Sequence, residues 1–215
     1  MAKRKPLSHL EKSLNVWGIV LLLWSVYRGI FHIDMGIWFD EFVAKPIIFL
    51  YPIYYFIVNV EKKRFFEGIS LWSTGYMRDV LYGIGVGSLF LVTSFATSTF
   101  IIRGLDAYIG LFALAFVSSF SEEALSRGFI LNRIYNEHRN KILSALAASI
   151  LFFIIRIPIL MTDPNLMGIN LIQIMVMNML LSIIISLLFL LRRSLLFAVM
   201  IHTMYILSLY YFGAM

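Results

Sequence analysis

Cysteine is absent from the 215 residues, which excludes a disulfide framework, a thiolate metal site and a cysteine nucleophile. Charge is scarce as well: Asp, Glu, Lys and Arg make up 14% of the chain, against roughly 25% in soluble domains. The only sizeable polar link runs from residue 60 to 79, which leaves little room for a soluble domain. No internal repeat or low-complexity tract stands out, and a small transporter would be expected to show repeats or broken helices. What remains is apolar, with 60% hydrophobic residues and a mean hydropathy of +0.86.

Apolar runs predict seven membrane-crossing helices, near residues 15–31, 42–60, 79–101, 106–126, 141–161, 169–191 and 195–213. Each run is long enough to cross about 30 Å of hydrocarbon, or nearly so. The expected fold is therefore an all-α polytopic transmembrane bundle, with residues 1–215 forming one membrane domain. The link "VEKKRFFEGISLWSTGYMRD" mixes Trp72 and Tyr76 with basic residues and suits a helix lying at the interface. "MAKRKPLSHLEKSLNVWGIVLLLW" has the basic start of a signal sequence without a small-residue cleavage site, and it reads as a retained first span. In "GIGVGS", Gly83 and Gly87 stand four apart in an apolar run with no strand before them. That favours close helix packing over a phosphate loop.

The net charge of +6 belongs with the bilayer and not with nucleic acid, because the bases fall on one side. With a cytoplasmic N-terminus, fourteen of the 18 basic residues lie in cytoplasmic segments. Asp34, Asp40, Glu41, Asp106 and Asp163 fall on the other side. The expected protein is a multi-pass integral membrane protein with its N-terminus inside and its C-terminus outside. Cysteines introduced at Ser8 and Asn140 should accordingly be labelled from the cytoplasm, and one at Asp163 from outside; cytoplasmic labelling at Asp163 would overturn the seven-span map.

Against this background each polar group inside a span is informative. "SSFSEEALSRGF" places Glu122, Glu123 and Arg127 near the end of the fourth run. Glu123 and Arg127 are an i, i+4 pair in the favourable order, acid first. Glu122 points about 100° away around the helix, so it either finds a partner on another helix, sits in a wet cavity as a candidate general base, or lies near the headgroups. His202 lies eight residues past Ser194, about 12 Å into the membrane at 1.5 Å per residue; it is either a hydrogen-bonded core histidine or a partner of Glu122. Arg156, in "FFIIRIP", either reaches the outer interface or turns inward to a carboxylate. Asn178, Ser182 and Ser186 form a polar stripe on the sixth span, for interhelical hydrogen bonds or for a cavity lining.

The order Glu-Glu-x-x-x-Arg-Gly at 122–128, an aromatic-led element from Phe152 to Arg156, and His202 in the last span resembles the CAAX-processing and bacteriocin-processing intramembrane endopeptidases. That family includes the lysostaphin resistance protein A-like proteins. "FFEGISLW" and "RRSLLFAVMIHTMY" extend the likeness over about residues 65–210. The resemblance implies a helix bundle around a cavity bordered by the fourth to seventh spans and open to the cytoplasmic side. In it Glu122 is the general base, His202 assists at the oxyanion, and Glu123 and Arg127 support. It also implies hydrolysis of a peptide or membrane-protein substrate, lipidated peptides included.

Two positions depart from the pattern. Arg156 stands where the second motif has histidine, and Ile206 stands four residues after His202 where asparagine is expected. A guanidinium can neither accept a proton nor bind a metal, although it can stabilise an oxyanion; in contact with Glu122 it weakens that group as a base. Asn178 could supply the hydrogen bond Ile206 lacks. A catalytic zinc needs three protein ligands, and Glu122, Glu123 and His202 would have to provide all of them, two being adjacent on one helix, so neither metal nor other cofactor is expected. If Arg156 faces the cavity and pairs with Glu122, Arg156→His restores the family's chemistry there and should raise glutamate-dependent cleavage, and Ile206→Asn should raise it further; loss of cleavage would instead make Arg156 itself the oxyanion group. The leading function is a glutamate-type intramembrane endopeptidase; the alternative is a degenerate member that binds a membrane or peptide partner without turnover.

Overall fold

A computed structural model describes residues 8–30, 36–71, 75–97, 105–162 and 168–211. Among them there is no strand, and seven long helices stand where the seven apolar runs are. These are α1 (His9–Gly29), α2 (Ile37–Val60), α3 (Tyr76–Thr97), α4 (Leu105–Glu123, continuing through Ala124–Leu131 and Asn132–His138), α5 (Lys141–Thr162), α6 (Gly168–Arg192) and α7 (Leu195–Tyr211). Four stretches meet both the length and the hydropathy expected of a crossing: Ile37–Val60, Ala107–His138, Lys141–Thr162 and Leu171–Arg192. The 17 residues of α7 are apolar but shorter. The fold is thus an all-helical membrane bundle.

Local chemistry sets the helix ends. Ser8 caps α1 with a capping box, its Oγ accepting from the Glu11 N–H at 3.1 Å while the Glu11 carboxylate accepts from the Ser8 N–H. α4 stops at Arg139, which takes a left-handed φ of 57°, and Asn140 Oδ1 then accepts from the Leu143 N–H at 3.1 Å to start α5. The glycines of "GIGVGS" meet α7 at backbone distance. A Cβ on Gly83 would lie 2.8 Å from the Phe197 carbonyl, and one on Gly87 would lie 2.7 Å from Met204 Cβ. Close helix packing, not phosphate binding, is what these glycines serve.

Two features differ from the sequence reading. The link after α2 is not an interfacial helix over its described length: it has one helical turn, Phe65–Gly68, and then a buried strap. Ile69 and Leu71 are buried, and the Ser70 and Leu71 carbonyls accept from the N–H groups of Leu195 and Leu196 at 2.9 and 3.1 Å. Trp72 lies outside the described residues. Gly128 makes room for this strap, since a Cβ there would sit 2.9 Å from the Ile69 carbonyl. The second difference is the length of α4. It does not end near residue 126 but runs on through a π-helical stretch, Ala124–Leu131, to His138, so Glu122 and Glu123 lie mid-helix.

Ion pairs tie both ends of the bundle. At one end Arg28 of α1 meets Asp40 of α2 at 2.6 Å and donates to Thr162 of α5 at 3.0 Å; Asp40 also accepts from Tyr27. At the other end Arg133 of α4 pairs with Glu61 at 2.8 Å and Arg192 of α6 with Asp79 of α3 at 2.7 Å. Asp40 and Glu41, read from sequence as acids of the outer side, are both buried.

Candidate active site

Between those two tiers, side chains from five helices meet in one buried polar cluster. α4 contributes Ser118, Glu122, Glu123 and Arg127; α5 contributes Arg156, α6 Ser182, α7 His202, and α2 Glu41 and Lys45. Glu123 is 0% exposed, Arg127 and His202 1%, and Glu122 5%.

The Glu123–Arg127 pair predicted from spacing forms, with Arg127 Nη1 2.9 Å from Glu123 Oε1. A single Arg127 nitrogen, Nη2, then donates to both the Ser182 Oγ at 2.8 Å and the Ser182 carbonyl at 3.0 Å. Glu122 finds its partners on other helices: Arg156 Nη2 donates to its Oε2, and Lys45 Nζ donates to its Oε1 at 3.0 Å. Arg156 therefore turns inward rather than to the interface. Phe152, one turn before it, lies between the two guanidiniums, with Arg127 Cζ 4.5 Å and Arg156 Cζ 5.2 Å from its ring centre.

The contacts of His202 fix its tautomer. Arg156 Nη2 lies 3.3 Å from His202 Nε2, and a guanidinium only donates. Nε2 must then carry the lone pair, so the proton is on Nδ1, which donates to Glu123 Oε1 at 2.7 Å. The result is one alternating chain, Arg127–Glu123–His202–Arg156–Glu122–Lys45–Glu41. With a neutral imidazole its three carboxylates balance its three cations, which is what makes so many buried charges tolerable.

The polar stripe of α6 divides. Ser182 holds Arg127, and Ser186 lies 3.4 Å from Ser149 of α5. Asn178 is buried, but among the described residues no hydrogen bond joins it to the cluster. Ile206, also buried, adds none. Among the described residues no three or more acids and imidazoles come together as a metal-holding group. Sequence reasoning missed Glu41, Lys45 and Ser118. The signal was present in the first two, an acid followed by a base at i+4 in an apolar stretch, the same pattern that marked Glu123 and Arg127.

Residues 104–207 match the model of a protein family described as type II CAAX prenyl endopeptidase Rce1-like. Over these residues the chain is similar to the Rce1-like family. No curated protein matches the chain. The Rce1-like segment contains Glu122, Glu123, Arg127, Arg156, Asn178 and His202 and leaves Glu41 and Lys45 outside it. The family points to CAAX-protease-like chemistry on a peptide at a membrane.

Proposed function

We propose that the protein is a glutamate-type intramembrane endopeptidase, in which Glu122 activates water for attack on a peptide bond at or within the membrane. The observation that carries this reading is the convergence of Glu122, Glu123, Arg127, Arg156 and His202 in one buried cluster within the Rce1-like segment. A bundle held together by packing alone has no need of such a group, because well-packed apolar side chains stabilise at least as well as buried ion pairs.

The steps follow from the donors and acceptors. Glu122 takes a proton from water as the water oxygen bonds to the substrate carbonyl carbon, and the negative charge passes from the carboxylate to the substrate oxygen. Arg156 is the group placed to follow that charge. It touches Glu122 through Nη2, and its buried Nε–H has no hydrogen-bond partner, so a donor remains for the oxyanion. The C–N bond then breaks as the leaving amine takes the proton from Glu122. His202, accepting at Nε2 and donating to Glu123, fixes the Arg156 head and does not itself donate to the oxyanion.

A second reading rests on one observation: each oxygen of Glu122 already holds a cation. On that reading the chain keeps the family's bundle but binds a membrane or peptide partner without turnover. The two are separated by purified protein in bilayers offered prenylated C-terminal peptides, leader peptides and transmembrane segments. Cleavage by the parent chain that is lost in Glu122→Gln is the expected result. Binding of one class without cleavage, unchanged by Glu122→Gln, would overturn the endopeptidase reading in favour of the second.

A further inference from the structure

Within the buried cluster, the groups that come from the Rce1-like segment balance one another. Glu123 pairs with Arg127 and Glu122 with Arg156. Lys45 enters from α2, outside that segment, and brings Glu41 with it as a counter-ion. Neutrality therefore does not require the pair, and burying it costs desolvation. Yet the ammonium is fully used: its three N–H bonds go to Glu41, to Ser118 Oγ at 3.0 Å and to Glu122 Oε1 at 3.0 Å. The Trp24 ring of α1 stands 5.9 Å from Nζ. The backbone is also special here, since Asp40–Ala44 is π-helical and the Lys45 N–H donates to the Asp40 carbonyl; such widened turns recur at functional sites.

We infer that Lys45 is a positioning residue for Glu122. It holds Oε1, so that the carboxylate stays ionised with Oε2 turned to Arg156, while Glu41 keeps the ammonium in place. The inference rests on the proposed role of Glu122 as base, but its consequence for the charge of Glu122 can be read without any cleavage. The charged and titratable groups around Glu122 are Glu41 and Lys45 of α2, Glu123 and Arg127 of its own helix, Arg156 of α5, and His202 and Tyr210 of α7. Only Lys45 and Arg156 donate to its oxygens. Removing Lys45 together with Glu41 leaves a balanced core in which one cation instead of two donates to Glu122.

The test uses the full chain in bilayers and an apolar carbodiimide, which reacts with protonated carboxyl groups, with the modified residue located by mass spectrometry. At neutral pH the Glu41→Gln/Lys45→Met double variant should show about tenfold or more modification of Glu122 over the parent, with Glu123 unchanged. Lys45→Arg, which keeps the cation, should return it toward the parent level. Lys45→Gln with Glu41 retained gives a second readout, and its modification should exceed that of the double variant because Glu41 then faces Glu122 without a cation between them. Equal modification of Glu122 in the parent and in a folded double variant would overturn the inference. If modification rises as expected while no chain cleaves any peptide, the placement of Lys45 stands and the endopeptidase reading falls. If the parent cleaves through Glu122 but modification does not change, the inference about Lys45 falls alone.

Discussion

Glu122→Gln is expected to lower peptide cleavage by about 10²–10⁴-fold, the range contributed by a positioned general base, in a chain that still accumulates folded. Glu123→Gln is expected to do the opposite, removing folded protein first. The difference lies in what each substitution strands. Lys45 loses one of its partners with Glu122 but keeps Glu41 and Ser118, and the Arg156 side chain retains 15% exposure. Arg127 has no such recourse. It is 1% exposed, among the described residues its ion pair is with Glu123 alone, and its remaining contacts are neutral, with Ser182 and the Phe152 ring. Leaving a buried guanidinium without its carboxylate costs about 3–5 kcal/mol, a large share of the stability of a domain of this size. Glu123→Gln also weakens the acceptor that sets the His202 tautomer. Yield and thermal unfolding in detergent, measured beside cleavage, check the division. Equal loss of cleavage from both variants at normal yield would contradict it.

The contrast between these two glutamates also marks what could be read from the sequence. Helices followed from apolar runs, and the Glu123–Arg127 pair followed from a four-residue spacing, because both are local and a helix fixes them without reference to the rest of the chain. Contacts between helices depend on the rotation and depth of each helix, which composition does not carry. Lys45 meets Glu122 from 77 residues away, and Glu41, at the edge of an apolar run, reads in sequence as an acid of the outer side although it is buried. Arg127, too, stands where an apolar run ends. In the fold its charge is neutralised internally and α4 continues through a π-helical stretch. On α6 the stripe was visible, but which member reaches the cluster was not: Ser182 does, while Asn178, one turn earlier, does not.

Arg156→His is expected to lower kcat by about 10²–10³-fold, the loss seen when one oxyanion donor is removed, although histidine is the residue of the family pattern at that position. The pairing of Arg156 with Glu122 on which the expected rise depended is present, and the unspent Nε–H favours the other outcome, in which Arg156 is itself the oxyanion group. A neutral imidazole at 156 would bring one donor in place of a guanidinium that contacts Glu122 and His202 at once and keeps Nε–H unspent. It would also remove a positive charge, so that Lys45 alone would balance Glu41 and Glu122, and the core would carry an excess carboxylate unless the new imidazole took a proton. Most of the loss should appear in kcat and not in KM, because the oxyanion forms only as charge leaves Glu122 and Arg156 can follow it only then. Ile206→Asn in the same chain should recover little, because an added amide does not replace the guanidinium that touches Glu122 and His202 together. Steady-state kinetics on whichever peptide the parent cleaves decides the matter. A rise in cleavage by Arg156→His, increased further by Ile206→Asn, would show that the arginine obstructs hydrolysis and that the family's histidine chemistry is the one this bundle is shaped for.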